Sequence, residues 1–287
     1  MSTASAAIVS AQALAAALAG PTPPLVVDCG FDLADPEAGR RAHAAGHVPG
    51  AVYAHLEETM SGPRTGSNGR HPMPDDATFA ARVAALGIGD DTAVVAYDQA
   101  GGVYAARFWW MLRRVGHGAV AVLDGGLRAW QAAGQPLSAE PTPPRLPAQF
   151  TVRPALVRSV DGDAVAANLA TASFLVVDAR SPDRFRGENE TIDPVAGHIP
   201  GAVNRFFREN LSPDGRFRSP AELRAAFDTL HGTRSPAEIV AQCGSGVTAC
   251  HNLLAMEVAG RPGAALFPGS WSEWIARPGA PVATGPS

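Results

Sequence analysis

The chain has 287 residues, 46% apolar and 17% charged, with a formal charge of −4. This is material for about two packed domains, and the acidic balance excludes the strong basic excess that a nucleic-acid partner needs. All 23 cations are arginine, which excludes a Schiff-base lysine and a phosphate-loop lysine; three cysteines, Cys29, Cys243 and Cys250, exclude a disulfide framework or a cysteine zinc cluster.

The first predicted element is a short helix over residues 11–19, capped by Ser10 and stopped by Gly20 and Pro21. It is too short for the ~20 apolar residues of a membrane span. No Arg or Lys precedes Arg40, so the charged start of a signal peptide is missing. The expectation is a cytoplasmic, reducing setting and no membrane partner. Leu25-Val26-Val27-Asp28 follows as a strand, then Gly46-His47-Val48-Pro49-Gly50-Ala51-Val52, a strand at 93–97, and Asp124-Gly125-Gly126-Leu127 up to Trp130.

These four segments return in the same order. Leu175-Val176-Val177-Asp178 repeats the first strand, and Gly197-His198-Ile199-Pro200-Gly201-Ala202-Val203 repeats the turn motif. Residues 237–242 and 268–274 repeat the last two more loosely. A period this long means duplicated domains, not a solenoid. Between the copies, five prolines fall within residues 135–147, which reads as a semi-rigid extended linker. The expected boundaries are a first domain at 1–134, a linker at 135–153 and a second domain at 154–287. In the second half, 222–230 has helical spacing, 238–242 is strand-like, and 248–259 reads as a helix ended by Gly260 and Pro262. Apolar strands alternating with helices predict α/β domains, each with a mostly parallel central sheet flanked by helices. Such sheets bind ligands at the carboxyl ends of their strands.

The chemistry is expected in the loop Cys243-Gly244-Ser245-Gly246-Val247-Thr248, between a strand and a helix. Two glycines and small side chains let the backbone curl with its N–H groups inward, and the helix start adds partial positive charge. A cysteine there is favoured as thiolate, the nucleophilic form. A cysteine phosphatase needs an arginine six positions after its cysteine; that position is Ala249. A papain-like protease does not fit the duplicated α/β pattern. Cys29, after a strand, and Cys250, inside a helix, read as inert.

With these motifs the chain resembles the two-domain rhodanese-type sulfurtransferases over nearly its whole length. The resemblance rests on the paired Gly-His-[Val/Ile]-Pro-Gly-Ala motifs, the Asp124 to Trp130 segment and the Cys243 loop. It implies tandem rhodanese-like domains, with Cys243 accepting a sulfane sulfur as a persulfide. It also implies an inactive first domain, where Asp98 stands in place of the cysteine. Cys-Gly-Ser-Gly-Val-Thr looks like the 3-mercaptopyruvate branch; thiosulfate-preferring members resemble Cys-Arg-Lys-Gly-Val-Thr. The resemblance then implies a relay of Ser245, His71 and Glu57, although many members carry Asp at the last position. Read alone, His71 is a solvated loop histidine and Glu57 a surface charge.

The resemblance also gives Arg184 the substrate carboxylate, the loop amides from Gly244 and Gly246 through Val247 and Thr248 the sulfur anion, and Tyr104 a pocket position. A second arginine about nine residues beyond Arg184 is frequent in that branch; here Glu190-Thr191-Ile192-Asp193 holds none. Arg186 reads as a surface charge. His47 and His198 recur in both halves and read as turn-stabilising; the five tryptophans read as packing.

The expected enzyme moves sulfur from 3-mercaptopyruvate to a thiol, cyanide or sulfite. No metal and no organic cofactor are expected. A thioredoxin-like protein is one candidate acceptor, and the oligomeric state is left open. Thiosulfate:cyanide sulfurtransfer on the same scaffold, and a non-catalytic sulfur-carrier or binding module, are the alternatives.

Overall fold

In the computed structural model, which describes residues 7–286, the two repeats form two sheets of the same design. The first contains β1 (Ile8–Val9), α1 (Ala11–Leu18), β2 (Leu25–Asp28), α2 (Ala38–Ala45), β3 (Val52–Tyr53), α3 (Asp76–Ala85), β4 (Val94–Tyr97), α4 (Val103–Arg114), β5 (Val120–Leu123) and α5 (Gly126–Ala132). The second contains β6 (Arg158–Ser159), α6 (Gly162–Thr171), β7 (Leu175–Asp178), α7 (Pro182–Arg186), β8 (Val203–Asn204), α8 (Pro220–His231), β9 (Ile239–Gln242), α9 (Thr248–Val258), β10 (Ala265–Leu266) and α10 (Ser270–Trp274). The strand orders are β1-β5-β4-β2-β3 and β6-β10-β9-β7-β8, one copying the other. Every strand pair is parallel. A parallel sheet needs helical crossovers and is covered on both faces, so its central strands read as unbroken apolar runs. β2, β4 and β9 are accordingly buried along their whole length.

Local chemistry sets the helix ends. The Ser10 hydroxyl accepts from Ala13 N and starts α1. Ser219 and Glu222 form a reciprocal capping box, with Pro220 opening α8. The histidine of the repeated Gly-His motif is buried in each unit. His47 Nδ1 lies 2.7 Å from His43 O, and His198 Nδ1 lies 2.8 Å from Phe185 O. The tryptophans repeat as well: Trp130 donates to Pro136 O and Trp274 to Pro281 O. Trp130 packs in the first core with Val26, Val95 and Tyr97, while Trp271 and Trp274 pack in the second with Val176 and Val240. Trp109 and Trp110 are buried in α4. The proline-rich stretch runs extended along the first unit, where Thr142 Oγ1 donates to Ala51 O and Ala148 N to Ala84 O.

The chain divides into two compact units, with an exchange of segments. One unit holds the residues up to Ser61, Pro74–Leu156 and Pro213–Phe217. The other holds Gly62–Met73, Val157–Ser212 and the chain from Arg218 onward. The segment Gly62–Met73, far from the second repeat in sequence, thus carries His71 into the unit that contains Cys243. No described helix is long and apolar enough to cross a membrane.

Candidate active site

β9 pairs with β7 so that Gln242 lies opposite Asp178, and the next residue, Cys243, leaves the sheet at its carboxyl end. The loop then turns through Gly246, whose φ of 75° suits a residue without Cβ, into α9. Neighbouring backbone fixes the loop. Trp271 N donates to Cys243 O and Ser272 N to Gly244 O, each at 2.9 Å. Ser270 holds the other side. Its Oγ accepts from Cys243 N at 3.0 Å and donates to Phe267 O at 2.9 Å. Ser270 does this at φ 53°, a left-handed conformation that a serine adopts only under strain. Cys243 is 2% exposed. Arg180 lies close enough to interact with its charge.

Ser245 and His71 come together. His71 Nδ1 lies 2.8 Å from Ser245 Oγ, and both residues are buried. A proton can pass across that distance. The segment bearing His71 is anchored where Arg70 N donates to Ser272 Oγ at 2.9 Å, next to the backbone that braces the cysteine loop. Glu57 and Tyr104 belong to the first unit. Glu57 is half-buried in the turn after β3, its N–H donating to His55 Nδ1. Tyr104 is buried in the first turn of α4, and burial pushes its phenol pKa up.

Arg184 projects from α7 into an acidic bracket. Its Nε donates to both Glu190 carboxylate oxygens at 3.1 and 3.0 Å, and its Nη2 lies 3.0 Å from Asp193 Oδ2. Burial would raise the Glu190 carboxyl, but Arg184 and the N–H groups of Asp193 and Ile192 outweigh it and hold the pKa below the usual value. The place where the resemblance puts a second arginine is Asp193 itself, and Asp193 also binds Arg70 Nη1. A Cβ on Gly244 would lie 3.0 Å from Arg70 Nη2, 3.7 Å from Arg184 Nη2 and 3.8 Å from Arg184 Nη1. Glycine there gives the two guanidiniums room beside the cysteine. Arg186 pairs with Glu188 at the surface.

Sequence reasoning missed two cations. Arg70 carries no motif of its own; its only signal is that it precedes His71. Arg180 is 3% exposed, pairs with Asp178, and stacks over Trp271 at 4.7 Å. Burial opposes its charge, yet Asp178, Glu190 and the nearby Cys243 raise its pKa. It places a fixed positive charge near the sulfur.

The first unit shows what the same loop does without a cysteine. Asp98 follows β4 as Cys243 follows β9, and Leu127 N donates to Asp98 O as Trp271 N does to Cys243 O. The Asp98 carboxylate turns back into its own loop. Oδ1 accepts from Ala100 N and Gly102 N, and Oδ2 from Tyr104 N and Ala105 N, at 2.7–3.0 Å. Burial raises its pKa, and these four amide bonds oppose that rise. Cys29 is fully buried, with its pKa pushed well up by burial and by the Asp28 and Asp98 charges, and so is unsuited to thiolate chemistry.

The rhodanese-like domain model matches residues 10–133 and 161–277. A Pseudomonas aeruginosa protein named "Probable 3-mercaptopyruvate sulfurtransferase" is 48% identical over 283 residues, covering 98% of this chain and 99% of the relative. The thiosulfate sulfurtransferase of Mus musculus is 39% identical over 259 residues, 88% of this chain and 85% of its own. Among solved structures, 3-mercaptopyruvate sulfurtransferase from Leishmania major superposes with a TM-score of 0.84 at 31% identity, over 95% of this chain and 75% of that one.

Proposed function

The chain belongs to the rhodanese-like domain family, and from that premise we propose that it is a sulfurtransferase taking sulfur from 3-mercaptopyruvate. The observation that carries the donor assignment is the 2.8 Å contact between Ser245 Oγ and His71 Nδ1, two residues from the nucleophile and inside the same unit. Thiosulfate releases sulfite, an anion that leaves without protonation. Mercaptopyruvate releases an enolate, which gains from a proton donor in place.

In the proposed reaction the Cys243 thiolate attacks the donor sulfur. The new S–S bond forms as the C–S bond breaks, and the electron pair of that bond stays on carbon as the pyruvate enolate. Ser245, backed by His71, delivers the proton that makes pyruvate. Loop amides from Gly244 to Thr248 stabilise the sulfur anion; the four amides that donate to Asp98 at the equivalent place in the first unit support this reading. Arg184 holds the donor carboxylate. A thiol acceptor, small or thioredoxin-like, or cyanide or sulfite, then removes the outer sulfur, giving ping-pong kinetics. A cytoplasmic, reducing setting would keep Cys243 free to cycle. The roles of Glu57 and Tyr104 rest on the motif match alone.

The test compares kcat/KM for the two donors and weighs the intact protein after donor treatment. The expectation is a preference for mercaptopyruvate and a gain of about 32 Da at Cys243. A thiosulfate preference overturns the donor assignment, and an unchanged mass overturns the catalytic reading altogether.

A further inference from the structure

We infer that Arg70 is a donor-recognition residue that closes a two-guanidinium clamp with Arg184, and that this clamp is charge-balanced to select a singly charged carboxylate. The inference rests on the sulfurtransferase reading for the identity of the donor but on geometry alone for the clamp.

Three observations carry it. The first is position. Arg70 and Arg184 reach the same spot from segments over a hundred residues apart, and the spot is the face of Gly244, the residue after the nucleophile. Both side chains are partly open, at 21% and 17% exposure, so a ligand can meet them. The second is unspent donor capacity. Arg184 commits Nε and Nη2 to Glu190 and Asp193, and Arg70 commits Nη1 to Asp193. Arg184 Nη1 and Arg70 Nη2 make no hydrogen bond among the described residues, and both border Gly244. Two guanidinium edges facing one place fit the two oxygens of a carboxylate.

The third observation is charge. Arg70, Arg180 and Arg184 bring three positive charges, and Asp178, Glu190 and Asp193 bring three negative ones to one connected cluster. The cluster is neutral as a whole. It therefore attracts through directed N–H donors, which favours a monoanion that fits over a dianion held by net charge. Asp193 is the bridge, since it binds both guanidiniums and sets their separation.

The experiment uses the full chain and two thiol reagents of similar size, iodoacetate and iodoacetamide. Their rates at Cys243 report recognition of a carboxylate, with the neutral reagent as the control for an intact loop. Arg70→Gln is expected to lower the iodoacetate-to-iodoacetamide rate ratio about tenfold, as loss of one charge-assisted bond does. It should raise KM for mercaptopyruvate by a similar factor while kcat stays within about twofold. Arg70→Lys should recover part of both. Asp193→Asn leaves the cluster net positive and should raise kcat/KM for thiosulfate relative to mercaptopyruvate severalfold.

If Arg70→Gln leaves the rate ratio and KM within twofold of the parent, Arg70 does not touch the donor and the clamp is wrong. A fall in both alkylation rates together with kcat means the substitution damaged the loop, and recognition by Arg70 is again refuted. An Asp193→Asn variant with unchanged donor preference refutes the charge balance. A parent that takes no sulfur from mercaptopyruvate defeats the proposed function, while the alkylation ratio still decides the clamp.

Discussion

β4 and β9 deliver the chain into two loops at equivalent places in the two sheets, and a different residue stands first in each. In the first unit Asp98 fills the cup from within, taking four backbone N–H groups on one carboxylate. In the second the corresponding residue is Cys243, whose backbone is braced from outside by Ser270, Trp271 and Ser272. The strand-to-helix loop recurs with the fold, and in the first unit its leading side chain occupies the loop's own amides. The arginines repeat the contrast. Asp28 in the first unit is met by Tyr97 and His43, while Asp178 in the second is met by Arg180.

The sharpest way to break the comparison is to copy the first loop into the second. Cys243→Asp should abolish sulfur transfer and the mass gain, yet fold with a melting temperature no lower than the parent. Residual turnover would remove Cys243 as nucleophile, and an unfolded product would mean that the two cups differ. The reverse experiment empties the first loop. Asp98→Ala leaves four amides, three of them buried, without their acceptor and should cost about 3 kcal/mol of stability. Sulfur transfer per folded molecule should stay within about twofold. Denaturant titration with activity assays on the same samples checks both, and an unchanged stability would show that Asp98 is no plug.

Ser245→Ala comes next, with an expected loss of about a hundredfold in kcat for mercaptopyruvate and clearly less for thiosulfate. His71→Gln should match it, and the double variant should add little, because the two residues act as one unit. Equal losses on both donors would show that the pair does not serve the enolate. The smallest effect concerns acid. His231 in α8 is buried with neither ring nitrogen bonded, and burial, then Arg261, hold its pKa at about 4, against 6.5 for a free histidine. The folded state therefore resists a proton that the unfolded chain accepts. Stability is full above pH 6.5 and falls as pH drops toward 4, by about 2 kcal/mol between pH 6.5 and 5. Denaturation midpoints across that range should show the slope in the parent and its loss in His231→Leu.

Much of this was legible in the sequence because the same physics was written twice. Leu-Val-Val-Asp and Gly-His-[Val/Ile]-Pro-Gly-Ala each appear in both halves, and they became equivalent strands and turns in sheets of identical order. The helices over 222–230 and 248–259 came out as Pro220–His231 and Thr248–Val258, the first opened by the Ser219–Glu222 capping box. The two-residue strands β1, β3, β6, β8 and β10 gave no period to read. α4 is buried on nearly every side, Arg107 included, so it shows no polar face. At the site, Cys243, Ser245 and Arg184 stood in recognisable motifs. Arg70 did not, because its meaning lies in Asp193, 123 residues away. Arg180 was hidden for a similar reason: its neighbour Trp271 is brought to it only by the fold.

Ser270 has a consequence for anyone who would improve this protein in the laboratory. A glycine would adopt its φ of 53° without effort, so a library sorted for heat resistance alone should drift toward Ser270→Gly. That winner would have discarded the hydroxyl on Cys243 N, and its survivors would be sturdier and slower. Selection on turnover should hold the serine, and sequencing the two pools side by side would show which demand has kept an uncomfortable residue behind the sulfur.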